Sequence, residues 1–310
     1  MGKLATKPKH FLTITDLTPN EIQEILDSAV ELKTRGWLSL LKNKTAAVLF
    51  EKPSLRTRVS FEVAVRQLGG QTIYLSPEEV GLGKRESIPD VSRVLSRFVD
   101  VIILRTFAQR NLEVLAEYSS VPVINALSDY EHPCQALADL LTIYEIKGKL
   151  KWLTVAYIGD GNNVANSLML ACAMTGVNFS IASPPGYTIN ESVLKKAKTY
   201  AKTSGSKILC TEDPRAAARD ADVIYTDTWT SMGQESEAAV RRKAFADYQI
   251  NEKLMALTRH NSIIMHCLPA HHGEEVAVGL LDGPRSVVFD QAENRLHAQK
   301  ALLVWMFTKK

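Results

Sequence analysis

The chain has 310 residues, of which 45% are apolar and 23% charged, and its formal net charge is +3. That length accommodates two domains with separate cores, and the near-balanced charge excludes a dedicated nucleic-acid binder, whose basic residues would be in clustered excess. No uninterrupted apolar run approaches about 18 residues, so nothing is expected to span a membrane.

The opening MGKLATKPKHFLTITD has lysines but no apolar core segment and no arginine, and reads as neither a secretory signal nor a transit peptide. The first helix is signposted by Thr18 as cap, Pro19 at its first position and Glu21 completing a capping box. Ile22, Ile25, Leu26 and Ala29 form its buried stripe, and Gly36 ends it. Strands and helices then alternate. The strand-like runs are TAAVLF (45–50), TIYL (72–75), VIILRT (101–106) and VPVINAL (121–127), with helices around 56–68, 88–98 and 111–119. A long helix follows over 133–147. The pattern restarts with LTVAYIGD (153–160), FSIASP (179–184), KILCTED (207–213), VIYTDTW (223–229) and SIIMHCLP (262–269), and a last helix runs over about 291–307. Apolar, β-branched strands alternating with helices predict an α/β protein with two domains of similar architecture, each a mostly parallel sheet with helices on both faces.

The four cysteines, Cys134, Cys172, Cys210 and Cys267, form no CxxC pair. They read as reduced thiols of a cytoplasmic protein, without structural zinc.

In such sheets ligands bind beyond the carboxyl ends of the strands, and the unusual residues fall there. Ser54-Leu55-Arg56-Thr57-Arg58 opens a helix after the first strand. A basic helix start is unfavourable against the helix dipole by about 0.3–1 kcal/mol per cation. One reading is a solvated basic face. The other is a phosphate cradle in which the Ser54 and Thr57 hydroxyls, free N–H groups and the Arg56 guanidinium converge on one anion. No GxxxxGK[ST] loop is present, which points to a small phosphometabolite rather than a nucleotide. Arg58 lies about 200° around the helix from Arg56 and is expected to pair with Glu62 instead.

Arg105 ends an otherwise apolar strand, as an internal salt bridge or as a second cation for the same anion. His132 and Gln135, at the opening of the long helix, share a face and suit hydrogen bonds to a carbonyl and an amino group. In the second half, Asn163 within GDGNN offers a donor and an acceptor. A dinucleotide site is a poor reading, because the third glycine of GxGxxG is missing. Asp227 supplies a carboxylate suited to an ammonium, or is a turn residue, and Ser231-Met232-Gly233 forms a compact loop. Together they suit the zwitterionic head of an amino acid. Cys267 at a strand end is buried filler or a covalent thiol nucleophile, which would need a nearby base. His266 alternates to the opposite side of the strand and is no base for it. His271, His272, Glu274 and Glu275 could suggest a metal site but read as loop residues.

SLRTR after a strand, HPxQ, DxxxSMG and HCLP, in this order, resemble the transcarbamoylase family over nearly the whole chain. The second-half motifs are similar to its ornithine carbamoyltransferase branch. The resemblance implies carbamoyl transfer from carbamoyl phosphate to the δ-amino group of L-ornithine, a step of arginine biosynthesis, by a homotrimer without cofactor. Residues 1–148, with the helix 291–310 packing back on them, would bind carbamoyl phosphate, and 149–290 would bind ornithine. Ser54, Leu55, Arg56 and Thr57 would hold the phosphate, and Arg105 would bridge phosphate and carbonyl oxygen. His132, Gln135 and Arg295 would hold the carbamoyl group. Asn163, Asp227, Ser231 and Met232 would contact ornithine, and Cys267 with the Leu268 carbonyl would touch the carbamoyl group and the attacking amine. Arg105, His132 and Cys267 are the expected catalytic residues. Many relatives have Thr where Leu55 stands, which keeps the backbone contact and removes a hydroxyl. Some borrow a phosphate-binding side chain from a neighbouring subunit through the loop matching 77–87, where Lys84 and Arg85 are the candidates.

Overall fold

A computed structural model describes residues 8–36, 38–231 and 233–308. The chain divides into two compact units, Met1–Leu137 with Arg295–Lys310 and Ala138–Asn294.

The first unit contains α1 (Pro19–Thr34), β1 (Thr45–Phe50), α2 (Leu55–Gln67), β2 (Gln71–Leu75) and a single turn α3 (Pro77–Val80). α4 (Ile88–Leu95), β3 (Val101–Arg105), α5 (Gln109–Tyr118) and β4 (Val123–Leu127) follow. The division into units falls within α6 (Pro133–Lys147) and again within the last helix, α12 (Val288–Thr308). α1 starts as its cap requires: Glu21 N–H donates to Thr18 Oγ1 at 3.2 Å, and Thr18 N–H donates to the Glu21 carboxylate at 2.8 Å.

The four strands are all parallel, in the order β2-β1-β3-β4. The continuous apolar sequences of β1, β3 and β4 follow from burial on both faces: Ala47, Leu49, Ile102, Leu104 and Val123 pack with Leu112 and Leu115 of α5, and the alternate residues Val48, Ile103 and Ile124 are wholly buried too. Each of the buried apolar β3 side chains, Val101 to Leu104, contributes about 1.5–3 kcal/mol by leaving water. Because β1 leads to β2 on one side and β3 to β4 on the other, the winding reverses between β1 and β3. That is the switch point of the sheet. Phe50 pairs with Arg105 there, which sets Arg105 beside the chain that continues into Ser54.

The second unit holds β5 (Thr154–Ile158), α7 (Asn163–Thr175), β6 (Asn178–Ala182), α8 (Glu191–Ser204), β7 (Ile208–Thr211) and α9 (Pro214–Ala218). β8 (Val223–Thr226), α10 (Ala238–Ala244), α11 (Glu252–Met255) and β9 (Ile263–His266) complete it. Its five parallel strands run in the order β7-β6-β5-β8-β9, so its switch point lies between β5 and β8. Tyr157 of β5 and Tyr225 of β8 are wholly buried and stack with ring centroids 5.5 Å apart. Both sheets have the parallel, helix-covered form that the sequence predicts. Among the described residues no helix is long and apolar enough to cross a membrane.

Candidate active site

In the first unit, Ser54 caps α2: its Oγ accepts the Thr57 N–H at 3.3 Å and donates to Thr57 Oγ1 at 3.0 Å. Leu55, Arg56 and Thr57 therefore form the first helical turn, whose N–H groups have no partner within the helix. Leu55 projects into solvent, 76% exposed, while Thr57 is buried. The three cations at this helix start are treated differently. The ammonium of Lys52 lies over the Phe107 ring, 4.1 Å from its centroid. Arg58 donates to Glu62 at 2.9 Å and lies over Tyr74, which is the ion pair that the helical spacing predicts. Among the described residues, Arg56 is paired with neither a carboxylate nor a ring, so its charge is available to an incoming anion.

Arg295, on α12, is only 4% exposed. Its guanidinium donates to Gln135 Oε1 at 2.7 Å and to Thr57 Oγ1 at 3.0 Å. Ser54, Thr57, Arg295 and Gln135 are thus one hydrogen-bonded chain, and with its oxygen committed to Arg295 the Gln135 carboxamide has its NH2 group as the other end. Arg105 and His132 are also buried. Burial, followed by the charges of Arg295 and Arg105, holds the His132 imidazole well below its usual pKa. His132 is accordingly neutral near pH 7, with one N–H to donate. Lys84 and Arg85 sit in an exposed loop after α3, and Arg85 donates to the Glu79 carbonyl at 3.2 Å.

In the second unit, Asn163 is the first residue of α7, and its neighbour Asn162 is the cap. Asn162 Oδ1 accepts from the N–H groups of Val164 and Ala165 at 2.9 and 3.1 Å, while its NH2 donates to Asp227 Oδ2 at 2.8 Å. The other carboxylate oxygen of Asp227 accepts from the Thr228 N–H at 2.8 Å and from the Cys267 thiol at 3.0 Å. Asp227 is therefore oriented from three directions at the switch point, with Cys267 against it. The Ser231 N–H donates to Gln234 Oε1 at 3.1 Å; Met232 lies outside the described residues.

Leu268 has a left-handed backbone, φ +56°, unusual for a non-glycine residue. Its N–H donates to Nδ1 of His266 at 2.8 Å. That nitrogen must then be an acceptor, so Nε2 carries the proton and donates to Glu275 Oε1 at 3.2 Å. Glu275 is wholly buried and not an ordinary loop residue. Its carboxylate also accepts the His271 N–H at 2.6 Å. Sequence pattern alone gave no sign of a partner nine residues beyond His266.

Ligand atoms of Asp227, His266 and Cys267 lie within 4.8 Å of one another. Both His266 nitrogens are already committed, so a metal there would have to break the bonds to Leu268 or Glu275. In a second such group, of His271, Glu274 and Glu275, Arg242 donates to Glu274 at 3.4 Å.

A buried cation missed by the sequence reading is Arg241 of α10. It donates to Asp160 Oδ2 and to the Trp229 carbonyl, each at 2.8 Å, and to Glu237 at 3.1 Å. Burial pushes the Asp160 carboxyl up, and Arg241 opposes that shift. The loops after β5 and β8 are tied together through this guanidinium.

Fold and side chains define a two-unit α/β protein with a separate constellation of polar groups at each switch point. The family model for the carbamoyl-P binding domain of aspartate/ornithine carbamoyltransferase matches residues 9–145. The model for the Asp/Orn binding domain matches residues 151–306. The chain is 54% identical over 302 residues to an ornithine carbamoyltransferase of Anoxybacillus flavithermus, with 96% of each chain covered. With that of Bacillus subtilis it shares 53% identity over 295 residues, covering 95% of this chain and 92% of the relative. Its fold superimposes on ornithine carbamoyltransferase from Pyrococcus furiosus with a TM-score of 0.94 at 49% identity, over 99% of this chain and 100% of the other. The chain belongs to the aspartate/ornithine carbamoyltransferase family.

Proposed function

We propose that the protein transfers the carbamoyl group of carbamoyl phosphate to the δ-amino group of L-ornithine, giving L-citrulline and phosphate. The observation that carries this reading is the set of relatives named ornithine carbamoyltransferase, 50% or more identical over at least 95% of the chain. The first unit supplies the groups for the donor. Ser54, the backbone at Leu55, Arg56 and Thr57 receive the phosphate, and Arg105 spans phosphate and carbonyl oxygen. His132, Gln135 and Arg295 orient the carbamoyl group. The second unit supplies the groups for the acceptor: Asn163, Asp227, Ser231 and Met232 hold the amino acid, with Cys267 and the Leu268 carbonyl facing its amine.

The neutral δ-amine attacks the carbonyl carbon and forms the C–N bond. The C–O bond to phosphate then breaks, phosphate leaves with the electron pair, and it can take the proton lost by the amine. No strong base is required of the protein. Its contribution is orientation, together with donors from Arg105 and the neutral His132 to the carbonyl oxygen, each worth about 2.7–4 kcal/mol in comparable oxyanion sites. Cys267 has no covalent role here, because the amine attacks the carbonyl carbon directly.

The same reading makes the protein a cytoplasmic homotrimer with no cofactor, with 1–148 and the returning helix as donor domain and 149–290 as acceptor domain. Replacing Arg56 by Ala tests the phosphate cradle. The KM for carbamoyl phosphate should rise by one to two orders of magnitude, on the scale of about 1.5–3 kcal/mol for a charged hydrogen bond, and an unchanged KM would contradict it.

A further inference from the structure

The first turn of α12 carries a buried carboxamide that the roles above do not use. Gln291 is wholly buried. Its Oε1 accepts the backbone N–H of His266 at 2.9 Å, and its Nε2 donates to Asp139 Oδ1 at 2.7 Å and to the Tyr225 hydroxyl oxygen at 3.1 Å. The amide has only one possible orientation. A backbone N–H can only donate, so the oxygen must face His266 and the NH2 group must face Asp139 and Tyr225.

Its three partners are not arbitrary. Tyr225 precedes Asp227 by two residues at the end of β8, and His266 immediately precedes Cys267 at the end of β9. The two strands pair through Thr226 and His266, and beyond that pair the ladder stops. The Asp227–Cys267 contact of 3.0 Å lies in the unpaired continuation, where nothing in the sheet itself fixes the separation.

We infer that Gln291 is a positioning residue for the acceptor site. Its carboxamide staples the end of β8 to the end of β9 and thereby sets the contact between Asp227 and Cys267. Asp139 holds the staple from α6 by anchoring the NH2 group. This inference rests on the reading of Asp227 and Cys267 as acceptor-site groups. Because it concerns the contact between Asp227 and Cys267, it has a readout that does not depend on turnover.

The test uses Gln291→Met, which keeps the volume and removes all three hydrogen bonds, and Tyr225→Phe, which removes one. Steady-state kinetics with each substrate varied are combined with the rate at which iodoacetamide alkylates Cys267 in the native protein, followed by mass spectrometry well below the Tm. For Gln291→Met, the KM for ornithine should rise about tenfold or more, and the KM for carbamoyl phosphate should stay within about twofold. Alkylation of Cys267 should quicken severalfold as its thiol is released from Asp227. Tyr225→Phe should move all three readouts in the same sense by a smaller factor. A folded Gln291→Met protein with ornithine KM and Cys267 alkylation both unchanged would overturn the staple. If that variant does not fold, an unchanged Tyr225→Phe protein would overturn it. A wild-type protein that makes no citrulline would instead refute the proposed function, leaving the alkylation rates to judge the staple alone.

Discussion

The thiol of Cys267 and the carboxylate of Asp227 meet at 3.0 Å although 40 residues separate them. Adjacent parallel strands bring them together, since each residue is the first beyond a paired strand end. With Asn162 on the other carboxylate oxygen, Asp227 is held from both sides at the switch point, as the proposed acceptor site requires.

Asp227→Asn removes that charge while keeping the volume. The new NH2 group must face either the Asn162 donor or the Thr228 N–H, so one existing bond is lost as well. kcat/KM for ornithine should fall by about 10² or more, corresponding to roughly 3 kcal/mol or more. The KM for carbamoyl phosphate should be nearly unaffected. Steady-state kinetics with each substrate varied separates these outcomes.

Arg295 joins Gln135 to Thr57 with a two-pronged donor, which a lysine cannot reproduce. Arg295→Lys should therefore raise the KM for carbamoyl phosphate about 10–100-fold and leave the ornithine KM little changed. Isothermal titration with carbamoyl phosphate would measure the same loss without turnover.

His132 gives a pH prediction with a definite sign. Its folded-state pKa lies well below 6.5 because the site is buried and faces Arg295 and Arg105. Below pH 6.5 the unfolded chain binds a proton that the folded chain does not. The stability from this group is complete above pH 6.5 and is lost as pH falls toward the folded value, by at most about 1.4 kcal/mol per pH unit. Urea unfolding of the wild type and of His132→Asn at pH 7.5 and 5.5 should show the wild type losing roughly 1 kcal/mol more than the variant. Equal losses would contradict a neutral, buried imidazole.

Much of this arrangement is legible in the chain, and the reason is periodicity. TAAVLF matches β1 residue for residue, and the long helix over 133–147 is α6. Where the expected strands run past their carboxyl ends, at LTVAYIGD, VIYTDTW and SIIMHCLP, the excess is Gly159 and Asp160, Asp227 to Trp229 and Cys267 to Pro269. These residues continue the strand in sequence but leave the sheet, and that departure puts Asp160 and Asp227 at the switch point and Cys267 against Asp227. Arg295 is buried, because α12 turns that face to Thr57 and Gln135. What the sequence conceals are the polar partners fixed only by tertiary packing. Glu275 beneath His266, Arg241 between two loops and Gln291 between two strand ends have no local spacing rule. Asn162 follows a local rule, since an Asn just ahead of a helix is a cap by preference.

Arg241 is buried with Asp160 as its partner. Arg241→Met would leave that carboxylate buried without its counter-charge, at a cost of about 3–5 kcal/mol. Urea denaturation should show the midpoint shifting down with an unchanged m-value. Pairing it with Asp160→Asn should recover part of the loss, because both charges are then gone.

The proposed activity is defined by the amine that the second unit accepts. The deciding measurement is product formation from carbamoyl phosphate with L-ornithine, putrescine, L-aspartate and Nα-acetyl-L-ornithine offered separately. L-ornithine should give citrulline with the highest kcat/KM, and its advantage should largely disappear in Asp227→Asn. Preferential turnover of putrescine, aspartate or the acylated amine would contradict the assignment.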